Sequence, residues 1–262
     1  MHLHNVEDRF NPARACPPGI ENSYFPSNPQ LHGYEGLSAE AYDSKCILRQ
    51  GNYSICLADS PGRCRLVNKL IKCMYSWRGY HTENVIISPQ NPHQLTLEAS
   101  LERHTVGTLT VGLDSKEGML VDTLYEGEIA PFRTADSKLC ELSKLAIDPR
   151  HSSRELLGSL FNLAYIYARV VHDVTCFFIE VNPRHAGYYK RMLGFQQVGE
   201  QRICPRVNAP AVLLHLDLDY VEKQVSSLAG MSQSSSVRSL YVHFLTRKDE
   251  ENVANSFKRY MN

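Results

Sequence analysis

The chain lacks several features that would place it at once. Its 262 residues carry no excess of either charge, with 28 Lys plus Arg against 28 Asp plus Glu, so the strongly basic footprint of a nucleic-acid binder is missing. No apolar run approaches the roughly 20 residues that a membrane span requires. The start, MHLHNVEDRF, is polar and shows no charged-then-apolar leader. Cysteine is not scarce, but cysteine pattern is: the 8 cysteines include no CxxC and no metal-like Cys/His spacing, which leaves reduced, mostly structural thiols as the expectation. No Cys or Ser stands with a His in a motif that would activate it as a nucleophile. Together these absences lead us to expect a soluble, cytoplasmic protein with no metal, no nucleic-acid partner and no integral membrane segment.

What is present is a core. With 43% apolar residues the chain can bury a substantial interior. Residues 1–50 contain CPPG, YFPSNPQ and HGYEG, an aperiodic Pro/Gly/Asn-rich composition expected of a poorly ordered extension. Residues 51–225 alternate between strand and helix patterns. Residues 226–262 begin as a Ser-rich linker, SSLAGMSQSSSVRS, and end in a segment expected to form a helix that packs Leu240, Phe244 and Phe257.

Within the central region, Tyr53 to Ala58 reads as a strand and Arg65 to Trp77 as an amphipathic helix. QLTLEASL and TVGTLTVGL, joined by ERH, have hairpin spacing. A helix around Val121 to Phe132 and a strand from Lys138 to Ile147 follow. SSRELLGSLFNLAYIYARVV opens with Ser152 or Ser153 as N-cap and is apolar almost all round, so it belongs against a sheet rather than at the surface. After the strand CFFIEV comes NPRHAGYYKRMLGF, a strand stop, a helix with two adjacent tyrosines and a terminating glycine. FQQVGEQRI and AVLLHLDL complete a β-α-β-β-α-β-α-β-α-β-β order.

That order, with its closing NPRHAGYYKRMLGF element, resembles the Gcn5-related N-acetyltransferase (GNAT) superfamily, and within it the FeeM-type N-acyl amino acid synthases, themselves similar to acyl-homoserine-lactone synthases. The blocks that carry the resemblance are SICLADS, LVNKLIKCMYSWRGY, GTLTVGLDSKEGMLVDTLY, CELSKLAIDP and NPRHAGYYKRMLGF, spanning about residues 53 to 220. The resemblance implies an α/β (α+β) GNAT fold: a mixed, mostly antiparallel twisted sheet flanked by helices and splayed between its fourth and fifth strands, here CELSKLAI and CFFIEV. It also implies an activity, transfer of a fatty acyl group from a thioester to the α-amine of an amino acid. An acetyl-CoA-dependent N-acetyltransferase and a non-catalytic acyl-carrier-binding module remain as alternatives.

Such a transfer needs a neutral amine, a hydrogen-bond donor for the oxyanion and a proton for the departing thiolate. By resemblance, a backbone N–H near Leu145 or Ala146 serves the oxyanion and Tyr189 protonates the thiolate, with Asn182 either holding the pantetheine arm or capping its helix. Glu141 is placed to take the amine proton through water, and Lys144 to pair with it or with a substrate carboxylate; a bulge is expected in ELSK. Trp77, Arg78 and Tyr80 would form an aromatic, cationic lip for acceptor or acyl tail, which Asp122 would cap or orient. Tyr189 as a half-buried packing residue and Glu141 with Lys144 as a simple ion pair are the plainer readings.

One departure bears on the donor. The acetyl-CoA enzymes of the superfamily hold pyrophosphate in a Gln/Arg-x-x-Gly-x-Gly/Ala loop, whereas this chain reads DPRHSSRELLGSL, with Gly158 alone inside the helix. Arg150, His151 and Arg154 suit a single phosphodiester on an acidic carrier protein better than a dinucleotide. The expected co-substrate is therefore acyl-ACP rather than acyl-CoA, with no bound cofactor.

Overall fold

The computed structural model of the chain describes residues 46–83, 87, 91–231 and 237–261. The extension expected over residues 1–50 lies outside these up to residue 45. Its last five residues do not belong to it: Cys46–Gln50 is a strand, β1, paired antiparallel with β2 (Tyr53–Leu57). The two are joined through Gly51, whose φ of 56° lies in the left-handed region that glycine adopts without penalty. A second correction follows from that strand. Cys46 and Cys56 face each other across β1 and β2 and are joined as a disulfide, so the reduced-thiol expectation fails at this pair.

From β2 the chain enters α1 (Pro61–Trp77), started by Ser60, whose hydroxyl accepts the Arg63 N–H, and by Pro61 in the first turn. A buried Arg63–Glu98 ion pair at 2.9 Å pins α1 to the next strand, β3 (Gln94–Leu101). β3 pairs with β4 (His104–Leu113), as the ERH link foretold. Then come α2 (Asp122–Ile129) with a 3-10 turn to Phe132, β5 (Leu139–Ile147), and α3 (Arg154–Tyr165), which continues as a π-helix through Val171. Ser153, not Ser152, caps α3. β6 (Cys176–Val181), α4 (Pro183–Leu193), the short β7 (Gln196–Gln197) and β8 (Arg202–Cys204), β9 (Ala209–Asp217) and α5 (Leu218–Leu228) follow. α6 (Arg247–Met261) ends the described chain. FQQVGEQRI is thus two short strands rather than one, and α5 reaches into the segment expected to be linker.

The strands form one nine-stranded sheet in the order β1-β2-β3-β4-β5-β6-β9-β7, with β8 on β9. All neighbours are antiparallel except β5 and β6. Those two pair only at Leu139 with Cys176, Cys140 with Phe177 and Glu141 with Phe178. Beyond Glu141 the strands part, so Leu142–Ile147 of β5 has no partner in β6. The expected splay is therefore present between the expected segments, shifted one place in strand number by β1.

α3 explains its own composition. Every residue from Leu156 to Ala168 is buried, because the helix has the sheet on one side and the C-terminal segment on the other. Leu240, Tyr241, Phe244 and Phe257 of that segment are fully or almost fully buried in the same cluster as α3, and Tyr165 and Tyr167 meet Phe244 and Phe257. Gly158 lets the Leu240–His243 turn approach closely: a Cβ there would lie 2.8 Å from the His243 Cβ.

Candidate active site

The parting of β5 from β6 begins where the candidate residues gather. Glu141 sits at the last paired position, opposite Gly112 of β4, and a Cβ on Gly112 would stand 3.0 Å from the Glu141 Cγ. The glycine makes room for the carboxylate. Glu141 is 1% exposed; its Oε2 accepts the Val121 N–H at 2.9 Å, with a further backbone bond from Leu120. Burial pushes its carboxyl up to about 7, against the pull of those two N–H groups, Arg206 and Lys144. A buried carboxylate poised near neutrality has the pKa a general base needs.

Two residues further along, β5 changes phase. Thr110 pairs with Ser143 and Thr108 with Ala146, so Leu109 alone faces both Lys144 and Leu145. The expected bulge is present, and Lys144 takes a φ of 52° to make it. Leu145 and Ala146 follow on the edge that β6 has left. The Lys144 ammonium, 3.4 Å from the Gln94 side-chain oxygen, is depressed by burial and raised back in part by Glu141. Ser143 has a buried hydroxyl with no hydrogen-bond partner among the described residues.

Tyr189, on α4, packs against α3. Its ring packs at 6.1 Å from Phe161 of α3 and 6.3 Å from Phe195, within the cluster that holds α3, whereas Glu141 lies on the side of α2. Burial pushes the Tyr189 phenol well above its ordinary value, with Tyr188, Tyr75 and Tyr80 adding to the rise and Arg78 opposing it. The phenol therefore stays protonated, the form an acid must have. Asn182 is the N-cap of α4, its Oδ1 accepting the Arg184 N–H at 3.2 Å. Of the two roles open to it, capping is the one visible.

The lip is tied down at both ends. Arg78 lies over the Trp77 ring at 5.3 Å and donates to the Met74 carbonyl at 3.2 Å, closing α1. The Tyr80 hydroxyl accepts from Arg184 at 3.1 Å, and Arg184 in turn donates to His185 Nε2 at 3.2 Å. Burial and the two arginines push His185 down to about 4, so it is neutral. Asp122 does not touch this lip. It accepts the Met119 N–H and pairs with Arg133, both at 2.6 Å, with Arg133 also on Asp114. Asp122 thereby shapes the turn whose Val121 N–H holds Glu141. Arg150 folds back on Asp148 of its own turn at 2.7 Å, while Arg154, first residue of α3, is exposed.

Sequence reasoning missed the turn between β8 and β9. From it, Arg206 donates to the Leu120 carbonyl at 2.9 Å, to Glu180 of β6 at 2.5 Å and to the Thr123 hydroxyl, while the Val207 carbonyl accepts the His81 N–H at 3.0 Å. The turn thus joins the lip, the end of β6 and the loop that holds Glu141. Nothing local in QRICPRVNAP signals this, since every partner is distant in sequence.

Comparison with known proteins bears on the family and the fold. The family model for the N-acyl amino acid synthase FeeM matches residues 67–217, more than half of the chain. The solved structure of FeeM, an N-acyl amino acid synthase from uncultured soil microbes, superposes with a TM-score of 0.57 at 24% identity, covering 65% of this chain and 94% of that one. The CoA-dependent acyl-homoserine lactone synthase MesI is similar at a TM-score of 0.45 and 14% identity, covering 67% and 89%, and an N-acetyltransferase from Staphylococcus aureus Mu50 at 0.44 and 10%, covering 64% and 99%. No curated protein matches the chain. With the sheet parted at the expected pair of strands and the family match running from α1 to the end of β9, the chain belongs to the FeeM family of N-acyl amino acid synthases and is an acyltransferase of the GNAT fold.

Proposed function

We propose that the enzyme transfers a long-chain acyl group from acyl-ACP to the α-amine of an amino acid, with Glu141 as base and Tyr189 as acid. The observation that supports this reading is the parting of β5 from β6: an unpartnered β5 edge that opens beside the raised carboxyl of Glu141. Glu141 takes a proton from the ammonium, and the freed amine attacks the thioester carbonyl. A backbone N–H at Leu145 or Ala146 stabilises the oxyanion. As the C–S bond breaks, Tyr189 protonates the thiolate and regains a proton from the nitrogen of the new amide. Lys144, beside Glu141, favours its ionised form.

The loop before α3 supports this choice of donor. Gly158 serves the C-terminal turn and not a pyrophosphate cradle, and the exposed Arg154 suits the single phosphodiester of a carrier protein. Asn182 would take the pantetheine through its amide nitrogen. Trp77, Arg78 and Tyr80 border the acceptor side. A cytoplasmic setting goes with such a donor.

Mass spectrometry of lipid extracts from a bacterial host expressing the chain tests the reading. Masses of a fatty acyl group joined to an amino acid with loss of water are expected, absent from hosts expressing Glu141→Gln. Acetylated amines in their place, or no new lipid from soluble folded protein, would overturn it.

A further inference from the structure

Arg206 is held from three directions, yet not used up. A guanidinium has five N–H donors. The described contacts take three of them, on the Leu120 carbonyl, the Thr123 hydroxyl and Glu180. With 27% of its side chain exposed and 11% of that of Glu180, the group is fixed in place and still reachable. The Nε N–H and one Nη2 N–H therefore remain for a ligand, donors of the kind that suit a carboxylate.

The position of Arg206 relative to Glu141 is set by a single peptide group. The carbonyl of Leu120 accepts from Arg206 at 2.9 Å, and the N–H of Val121, the other end of the same peptide, donates to Glu141 at 2.9 Å. That peptide is trans, as are all described peptide bonds, so its oxygen and hydrogen point in opposite directions. The separation of guanidinium and carboxylate across it is therefore at most about 8 Å, two hydrogen bonds plus the short peptide span. An α-amino acid has the same polarity, a donor nitrogen at one end and an acceptor oxygen at the other. With its own two hydrogen bonds it spans about 8 to 9 Å, comparable with that separation. Each extra methylene between amine and carboxylate adds about 1.2 Å or more and breaks the match. The orphaned Ser143 hydroxyl, on the strand face of Glu141, marks the same side as one that lacks a polar partner.

We infer that Arg206 is the carboxylate-binding, specificity-determining residue for the acceptor, anchored by Glu180, and that it selects α-amino acids over amines without a carboxylate. The inference rests on the acyl transfer proposed above, and two separate readouts keep their failures apart. Saturation-transfer NMR with a mixture of the common amino acids reports acceptor binding, and mass spectrometry of the same mixture with acyl-ACP reports transfer. For the wild type, one or a few amino acids bind and their carboxamides do not. In Arg206→Gln that binding falls at least tenfold. Arg206→Lys, which keeps the charge and the Glu180 pair, raises the acceptor KM several-fold with the donor KM unchanged, which a mere loss of fold would not do. Binding unchanged in Arg206→Gln, carboxamides bound as well as acids, or no amino acid bound by the wild type would each overturn the inference. Transfer that proceeds with Arg206→Gln as with the wild type would overturn it while leaving the proposed reaction standing. Arg206-dependent binding without transfer would do the reverse.

Discussion

At the scale of residues, the proposed chemistry turns on a single carboxyl group. Burial holds Glu141 at about 7 instead of its ordinary 4.5, and a base works only when deprotonated. The rate of acyl transfer should therefore rise with pH through about 7 and level above it. Glu141→Gln should lower kcat/KM by about 10² to 10⁴ at pH 8 and remove that limb of the profile; a pH–rate series on both proteins checks this, and an acid limb that survives in the variant would remove Glu141 from the role of base. Glu141 and Tyr189 enter the proposal because ELSKLAIDP and YYKRMLGF resemble a family. Arg206, Glu180 and Ser143 were not legible in the sequence, because their meaning lies in contacts between elements far apart in the chain. Gly112 was hidden too: a glycine in a strand often marks a close approach, but only the β4–β5 register shows that it faces Glu141.

At the scale of elements, the signal was strongest where punctuation was strong. Ser60 with Pro61, and Asn182 with Pro183, open helices where expected, and Gly194, at a φ of 82°, ends one. β1 was missed although Gly51-Asn52 between CILRQ and YSICL is a two-residue hairpin signal, because the Pro/Gly-rich run before it invited a reading as extension. α6 carries a prediction of its own. Burial, reinforced by Glu222 of α5 and opposed by Arg247, pushes Glu250 up to about 7. A carboxyl whose folded value is raised stabilises the fold fully below its unfolded value near 4.5 and loses that contribution as pH climbs through about 7. Glu250→Gln should thus match the wild type in Tm at pH 5 and exceed it by about 5 °C at pH 8. Calorimetry at the two pH values decides, and equal gains at both would show that ionisation is not the cause.

The whole molecule is larger than the family match, and the C-terminal segment is where the difference matters. Leu240, Tyr241, Phe244 and Phe257 cover the outer side of α3, so the near-uniform apolarity of that helix, read correctly as burial, had a second cause that composition alone could not reveal. Burying four such side chains stabilises by about 6 to 12 kcal/mol, as much as a typical domain has in total. A chain ending after Met231 should therefore fail to give a cooperative thermal transition by circular dichroism; a truncated protein that melts within about 5 °C of the full chain would show the segment to be an appendage.

The sheet, seen as a mechanical object, is two leaves. β1 to β5 form one and β6 to β9 the other, and the spine between them is the three paired positions ending at Glu141. An acyl thioester lying along the free edge of β5 would act as a splint across that spine, so loading the donor and stiffening the enzyme would be one event. Release of the thiol would then return the leaves to their unsplinted state, ready for the next carrier.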